Sequence, residues 1–398
     1  SIVGESMWSS DDIASGIHPE SDGTLDFNDT SLNFFSAVYP IRHPVLGRNV
    51  VLSLSYQRRY DFTRDFNTRL HTTGIVPGGG LIGQRSTLDF EQSGGLGALS
   101  PSVAFELTKR LSVGISVNFF RDTPFGESGW EQTTRVNAES SIGKSFALSR
   151  GYSHESYEDV RGESVTLGAL WRANSRWTLG LRYDSALRAR SRYASVDRSL
   201  QSVPNPFAPI VSNLAFTEED RTLRFPSTFS LGAAYRRNDR LTLSFDISRT
   251  DWDGAYVKAA NGTRYSLVDG SDLGDARTRT HLDPTLAVRF GAEYVFIPKK
   301  RRETLDALWS VRGGVFLEQE PASGRDVRNF FRPGDGKPDN YYGFALGAGL
   351  LVKQRVNFDL AYQFRFGNDV KGDLNPGVSG LHTDEISHRV VFSTVIYF

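Results

Sequence analysis

Between Val356 and Phe366 every second residue is apolar: Val356, Phe358, Leu360, Tyr362, Phe364 and Phe366 alternate with Asn357, Asp359, Ala361, Gln363 and Arg365. Successive side chains of an extended chain leave opposite faces, so this period of two specifies a strand with one greasy and one polar face. The pattern returns as Leu111, Val113, Ile115, Val117 and Phe119, as Leu241, Leu243, Phe245 and Ile247, and as Leu286, Val288, Phe290, Ala292, Tyr294 and Phe296. Charges such as Asp246, Arg289 and Glu293 sit in mid-strand, so the polar face must meet water or partners. Alternation alone fits a soluble sandwich or a membrane barrel whose apolar face meets lipid.

The connections separate the two. Short ones lie near 108–110, 173–176, 237–240, 298–304 and 353–355, and they alternate with long ones near 61–84, 121–162, 189–220, 253–276, 320–340 and 367–383. Short periplasmic turns opposite long external loops are the arrangement of an outer-membrane barrel. Trp171, Trp177 and Trp309 fall beside short turns, and Tyr60, Trp252 and Tyr256 beside long connections, as two interfacial girdles would require.

Composition agrees. Of 398 residues 39% are hydrophobic, mean hydropathy is −0.35, and no stretch approaches the roughly 18 apolar residues of a spanning helix. A barrel tolerates such values because only alternate residues face lipid. With 46 basic against 46 acidic residues there is no global field to attract nucleic acid. The absence of cysteine fits an oxidising compartment and excludes a lipid-modified cysteine.

Thirteen strands are legible: 32–40, 49–60, 86–106, 111–120, 163–172, 177–187, 221–235, 241–252, 277–297, 308–319, 341–352, 356–366 and 385–398. A barrel that begins and ends in the periplasm needs an even number, so an upward strand is expected before residue 32, within 1–8 or upstream of the chain. Residues 126–149 suit a hairpin above the membrane. The division expected is an N-terminal segment, 1–31, holding the end of the first strand or a loop, and a barrel over 32–398. The chain starts at Ser1 with no leader-like run, so upstream sequence, including any plug, is expected to be missing. At the other end Phe398 closes the alternation Val390, Phe392, Thr394, Ile396, and Phe392, Ile396 and Phe398 resemble the signal read by the barrel assembly machinery.

Several segments resemble the FadL/TodX-type transporters of hydrophobic compounds. Residues 101–118, Pro-Ser-Val-Ala-Phe-Glu-Leu-Thr-Lys-Arg-Leu-Ser-Val-Gly-Ile-Ser-Val-Asn, look like an early hairpin of that family. Phe225-Pro-Ser-Thr-Phe-Ser-Leu-Gly-Ala-Ala-Tyr235 followed by 241–252 resembles a recurring strand pair, and Gly291-Ala-Glu-Tyr294, Arg312-Gly-Gly314 and Asp359-Leu-Ala-Tyr362 extend the match over most of 32–398. The resemblance implies a fourteen-stranded antiparallel barrel that captures apolar molecules at external loops and passes them inward. The Asn-Pro-Ala motif of that family's N-terminal plug does not occur near the start; Asn205-Pro-Phe207 lies in a long connection.

No catalytic or metal pattern stands out. The seven histidines, at 18, 43, 71, 154, 281, 382 and 388, lack metal-like spacing, and neither a Gly-x-Ser-x-Gly elbow nor a phosphate loop is present. His154-Glu-Ser156 is read as loop rather than as a hydrolase pair, and the acidic run at 334–339 as a solvated loop without EF-hand spacing. No cofactor, metal or enzymatic activity is expected.

Two long connections carry apolar residues that water alone does not reward: Ile75, Val76, Leu81 and Ile82 in one, Phe207, Ile210, Val211, Leu214 and Phe216 in the other. They either pack on themselves or capture an apolar ligand. Asp246, Arg289, Glu293, Arg312, Asp359 and Arg365 are the expected lumen residues, as a stiffening network or as the lining of the route. The function expected is passive uptake of fatty-acid-like hydrophobic molecules across the bacterial outer membrane. The alternative is a similar barrel used as a scaffold or shuttle in a secretion or surface-assembly complex. Outer-membrane lipid, lipopolysaccharide, the apolar ligand and the assembly machinery are the expected partners. Uptake requires an apolar path from the loops into the barrel, whereas a scaffold needs a partner on the loops and a lumen that stays shut.

Overall fold

The computed structural model describes residues 1–15, 22–42, 47–75, 81–126, 128–142, 145–202, 210–268, 270, 272–274, 281–298, 307–322, 336–370 and 381–398. In chain order the strands are β1 (Ile2–Ser15), β2 (Asp22–Pro40), β3 (Val50–Asp61), β4 (Arg64–Ile75), β5 (Leu81–Thr108), β6 (Leu111–Phe120), β7 (Gly129–Ile142), β8 (Ser145–Arg172), β9 (Trp177–Asp184) and β10 (Arg188–Ser202). There follow β11 (Val211–Arg224), β12 (Ser227–Arg236), β13 (Leu241–Asp251), β14 (Tyr256–Lys258), β15 (Arg264–Ser266), β16 (Thr285–Phe296), β17 (Ala307–Glu320), β18 (Asp339–Val352), β19 (Val356–Val370) and β20 (Leu381–Ile396). A 3-10 turn, Trp252–Gly254, separates β13 from β14.

Fourteen of these strands close on themselves. The wall runs β1, β2, β3, β5, β6, β8, β9, β12, β13, β16, β17, β18, β19, β20, antiparallel throughout, and β20 returns to β1 with Ile2 opposite Thr394 and Trp8 opposite His388. Closure leaves no unpaired edge in the membrane, which is what allows strands to span it. The outward face carries Leu52, Leu54, Val103, Leu167, Phe229, Leu231, Phe245, Phe290, Val311, Leu346 and Leu360, all exposed, as lipid-facing residues must be. Trp171, Trp177 and Trp309 stand exposed on this face beside the short turns, with Trp177 packed 4.8 Å from Tyr235.

The missing upward strand is β1, pairing β2 from Ile2 to Ala14 and β20 along its whole length. The wall therefore begins at residue 2 and not at 32. The polar run Ser9-Ser-Asp-Asp12 broke the alternation because the upper end of β1 rises out of the lipid band, where an apolar face is no longer needed.

The long connections are also corrected. Most of 61–84, 121–162 and 189–220 is strand: β4 and the upper half of β5, β7 and the upper half of β8, then β10 and most of β11. The hairpin expected over 126–149 is β7 and the start of β8, with Trp130 opposite Tyr157 and Ile142 opposite Ser145. Above the membrane β4 inserts between β2 and β5, β7 between β5 and β8, and β10 on β8, so the wall continues upward as a broad sheet. Exchange of neighbours at β5 occurs at Gly94-Gly95, where β3 and β6 give way to β4 and β7. Gly94 has φ +122°, and a Cβ there would lie 2.6 Å from Trp130 Cα, so glycine is required on both counts. Two strands read as continuous are broken by proline, which cannot donate to the ladder. The segment 221–235 divides into β11 and β12 at Phe225-Pro226, and β16 starts after Pro284, while 277–280 of the strand expected there lie outside the described residues.

Candidate functional site

The lumen is built by the polar half of each alternation. Asp246 on β13 faces Arg289 on β16 in register, and Arg289 reaches Asp246 at 3.2 Å and Glu318 on β17 at 2.6 Å. One turn of the wall further, Arg312 on β17 bridges Glu293 at 2.8 Å and Asp359 at 2.6 Å. Gly349 makes the second contact possible: a Cβ there would stand 2.6 Å from Asp359 Oδ1. Arg365 pairs with Glu320 and lies 3.9 Å from Glu385, with its guanidinium 3.7 Å over the Tyr341 ring. The six lumen residues named from sequence are thus brought into one polar lining, but as three separate arginine-centred groups. Glu318, Glu320 and Glu385, which complete the groups, carried the same signal of a charge on the polar face. At the β1–β20 seam Arg389 meets Glu5 at 2.7 Å.

A second polar layer crosses the lumen. Arg59 on β3 contacts Asp184 on β9 at 3.1 Å and donates to Thr166 Oγ1 on β8 at 3.2 Å. Thr166 donates to Asp184 at 2.6 Å, Arg182 Nε donates to the same carboxylate at 2.7 Å, and Asn118 on β6 donates to Thr166 at 3.0 Å and accepts from Ser100 on β5 at 2.7 Å. Arg59 is the extra residue of a bulge, since Arg58 opposes Gly97 and Tyr60 opposes Leu96. Arg59 follows Ser53, Ser55 and Gln57 on the polar face, and the bulge turns the next residue, Tyr60, inward beside it, which no periodicity in sequence marks.

Directly above this layer the mouth is filled by apolar packing. Tyr60 lies 4.5 Å from Phe225, Phe62 4.6 Å from Trp130, and Trp130 stacks 4.2 Å from Tyr157. Leu96, Phe120, Val160, Leu187, Leu223 and Val257 complete the cluster, all buried. Tyr60 is therefore an inward plug residue and not part of an external girdle, because the bulge turned it onto the lumen face. Trp252 and Tyr256 also leave the girdle: Trp252 donates to Thr285 at 3.0 Å, and Tyr256 holds Arg264 4.9 Å above its ring. Trp8, Tyr342, Tyr362, Phe364, Phe366 and His388 form the outer aromatic set instead, with His388 stacked 5.5 Å from Trp8. At the rim Arg221 lies 3.2 Å over Tyr193 and donates to the Tyr157 hydroxyl at 2.8 Å. Burial pushes Tyr157 up to about 12 despite that cation.

The expected capture residues that are described lie on strands or next to them. Ile75 ends β4, Leu81 and Ile82 begin β5, and Val76 and Phe207 fall outside the described residues. Ile210, Val211, Leu214 and Phe216 lie on or beside β11 with relative exposures of 67%, 56%, 54% and 69%. They have not packed on themselves. A cavity of about 230 Å³ lies beneath the plug, lined by Tyr60, Phe120, Leu187 and Pro226 together with Arg59, Asp184 and Ser230. His154 on β8 is bonded to Thr133 at 3.0 Å in a paired strand, and no cluster of three metal-ligating side chains occurs among the described residues. Residues 334 and 335 of the acidic run lie outside them. Phe392 and Ile396 point outward from β20, with Phe398 beyond its end.

Residues 95–260 match the family described as outer membrane protein transport protein (OMPP1/FadL/TodX). The chain is similar to the FadL/TodX family over that stretch, and it is a β-barrel of the bacterial outer membrane. A Pseudomonas aeruginosa FadL homologue has the same fold at a TM-score of 0.52 and 15% identity, over 99% of this chain and 89% of that one. The Ralstonia pickettii toluene transporter TbuX does so at 0.50 and 11%, over 100% and 89%. A search of curated proteins gives no sequence match. That description is of a transport protein and not of an enzyme, and the barrel has the fold of the transporters it resembles.

Proposed function

We propose that this FadL/TodX-like barrel takes up apolar small molecules of the fatty-acid class from outside the cell, driven by binding and concentration alone. The observation that carries the reading is the exposed apolar strand Ile210 to Phe216, held clear of its own core next to a mouth packed with aromatic side chains. Each methylene an incoming chain buries there contributes about 0.8 kcal/mol, enough for a chain of ordinary length to bind. The polar lining below offers an apolar solute nothing comparable, so capture belongs to the outer half. The packed mouth makes this the closed form of the transporter, and passage requires the plug to part.

Uptake of a labelled long-chain fatty acid, and separately of toluene, by cells carrying the barrel tests this. Replacing Ile210, Val211, Leu214 and Phe216 by serine is expected to cut uptake at least tenfold while the barrel assembles normally. Undiminished uptake of both solutes in that variant would refute the capture role.

A further inference from the structure

The contact between Arg59 and Asp184 joins strands that are not neighbours. Three strands of the wall, β5, β6 and β8, stand between β3 and β9, so a 3.1 Å ion pair between them reaches across the lumen and not along the wall. Its two side chains are only 18% and 15% exposed, unlike the lumen pairs around Arg289 and Arg312, whose arginines are about half open to water. The bridge has two storeys: the residue after Arg59 is Tyr60, which packs across the same gap onto Phe225, and Phe225 N is bonded to Leu187 O at 3.0 Å just beyond β9. The cavity of about 230 Å³ is lined by Arg59, Tyr60 and Asp184 themselves.

We infer that Arg59 and Asp184 form a latch that holds the aromatic plug shut, and that they are gating residues for the transport proposed above. The chemistry suits a release that recurs. Asp184 has a second cationic partner, Arg182, which lies half exposed on the same strand and keeps the carboxylate satisfied when Arg59 leaves. Arg59 Nε is buried with no hydrogen-bond partner among the described residues, so the closed arrangement does not use every donor of the guanidinium and withdrawal into the watery lumen restores one. With the pair parted, β3 is no longer pinned inward at its bulge, and Tyr60 loses the constraint that sets it against Phe225. The inference rests on the transport reading but is tested without any ligand.

The sequence contains no cysteine, so a single introduced thiol reports alone. Ser230 lines the cavity, beside Arg182 in register and below Asp184 on the way to the periplasm. The full-length protein carrying Ser230→Cys, in intact cells, is treated from outside with a membrane-impermeant charged methanethiosulfonate. Adding Asp184→Asn is expected to speed labelling at least tenfold. Adding Asp184→Glu, which keeps the charge, is expected to leave the rate within threefold of Ser230→Cys alone. Heat-modifiable migration on a gel verifies assembly, and Arg59→Gln reads the same latch from the other side should Asp184→Asn fail to assemble. Equal labelling with and without the pair, or equally fast labelling in Asp184→Asn and Asp184→Glu, overturns the latch. Neither result touches the uptake assay, so failure of the latch and failure of transport remain distinct.

Discussion

At the scale of single residues, the lumen shows which charges matter. Arg312 is half exposed between Glu293 and Asp359, so its loss to alanine should cost roughly 1 kcal/mol of barrel stability, the usual range for solvated pairs. Asp184→Asn should cost more, about 3–5 kcal/mol, because it leaves the largely buried Arg59 without its carboxylate, and Arg59→Gln should fall between the two, since Arg182 still pairs Asp184. Urea unfolding of the barrel in liposomes ranks the three, and equal losses would deny the difference in burial its consequence. Above the membrane, the hydrogen bond from Arg192 at 2.7 Å, with Arg161 adding to it, holds the Asp159 carboxyl below its ordinary value. A depressed folded value stabilises above the unfolded one, near 4, and is lost as pH falls through the folded value. Tyr157 works in the opposite direction: raised to about 12, it contributes below the unfolded value near 10 and ceases to do so as pH climbs from about 10 to 12. Amide exchange in β8 and β10 should therefore be flat from about pH 5 to 9 after correction for intrinsic rates, and accelerate outside both limits. Acceleration at neutral pH would mean these groups do not order the rim.

At the scale of elements, the spanning strands were legible because lipid on one face and water on the other force period two, as in β13, β16 and β19. The same physics hid β4, β7 and most of β10 and β11. Above the lipid neither face need be uniformly apolar, so segments such as Arg-Ser-Arg-Tyr-Ala-Ser-Val-Asp-Arg in β10 read as loop. The lumen charges were readable from their positions on alternating strands. The latch charges lie on polar faces too, Arg182 and Asp184 alternating with Leu181 and Tyr183 and Arg59 following Ser53, Ser55 and Gln57, but their contact across the lumen and the bulge that turns Tyr60 inward leave no pattern. The glycines of the lumen give a further check. Gly349→Val would set a branched side chain against Asp359 and Ser310, and is expected to break the Arg312–Asp359 contact while β18 stays paired. Circular dichroism unchanged with a lowered unfolding midpoint is the expected result, whereas an unchanged midpoint would show that the pair adds nothing.

At the scale of the whole molecule, the barrel divides by height. A lipid-facing band with tryptophans at its lower rim anchors it, three arginine-centred groups line the lower lumen, and an aromatic plug on a cross-lumen ion pair closes the mouth. A sheet rises above it and presents an apolar strand to the outside. This order, greasy and accessible outside, packed at the mouth, charged below, suits a molecule that binds first and is admitted afterwards. A scaffold would need the exposed strand of β11 covered by another protein and would have no use for a releasable closure beneath it. The two differ in what accompanies the barrel out of the membrane. Native mass spectrometry of the gently solubilised full-length protein, with lipid extraction, addresses that directly. The account predicts a co-purified fatty acid or similar apolar molecule that disappears when Ile210, Val211, Leu214 and Phe216 are replaced by serine; stoichiometric protein partners with no apolar ligand would contradict it.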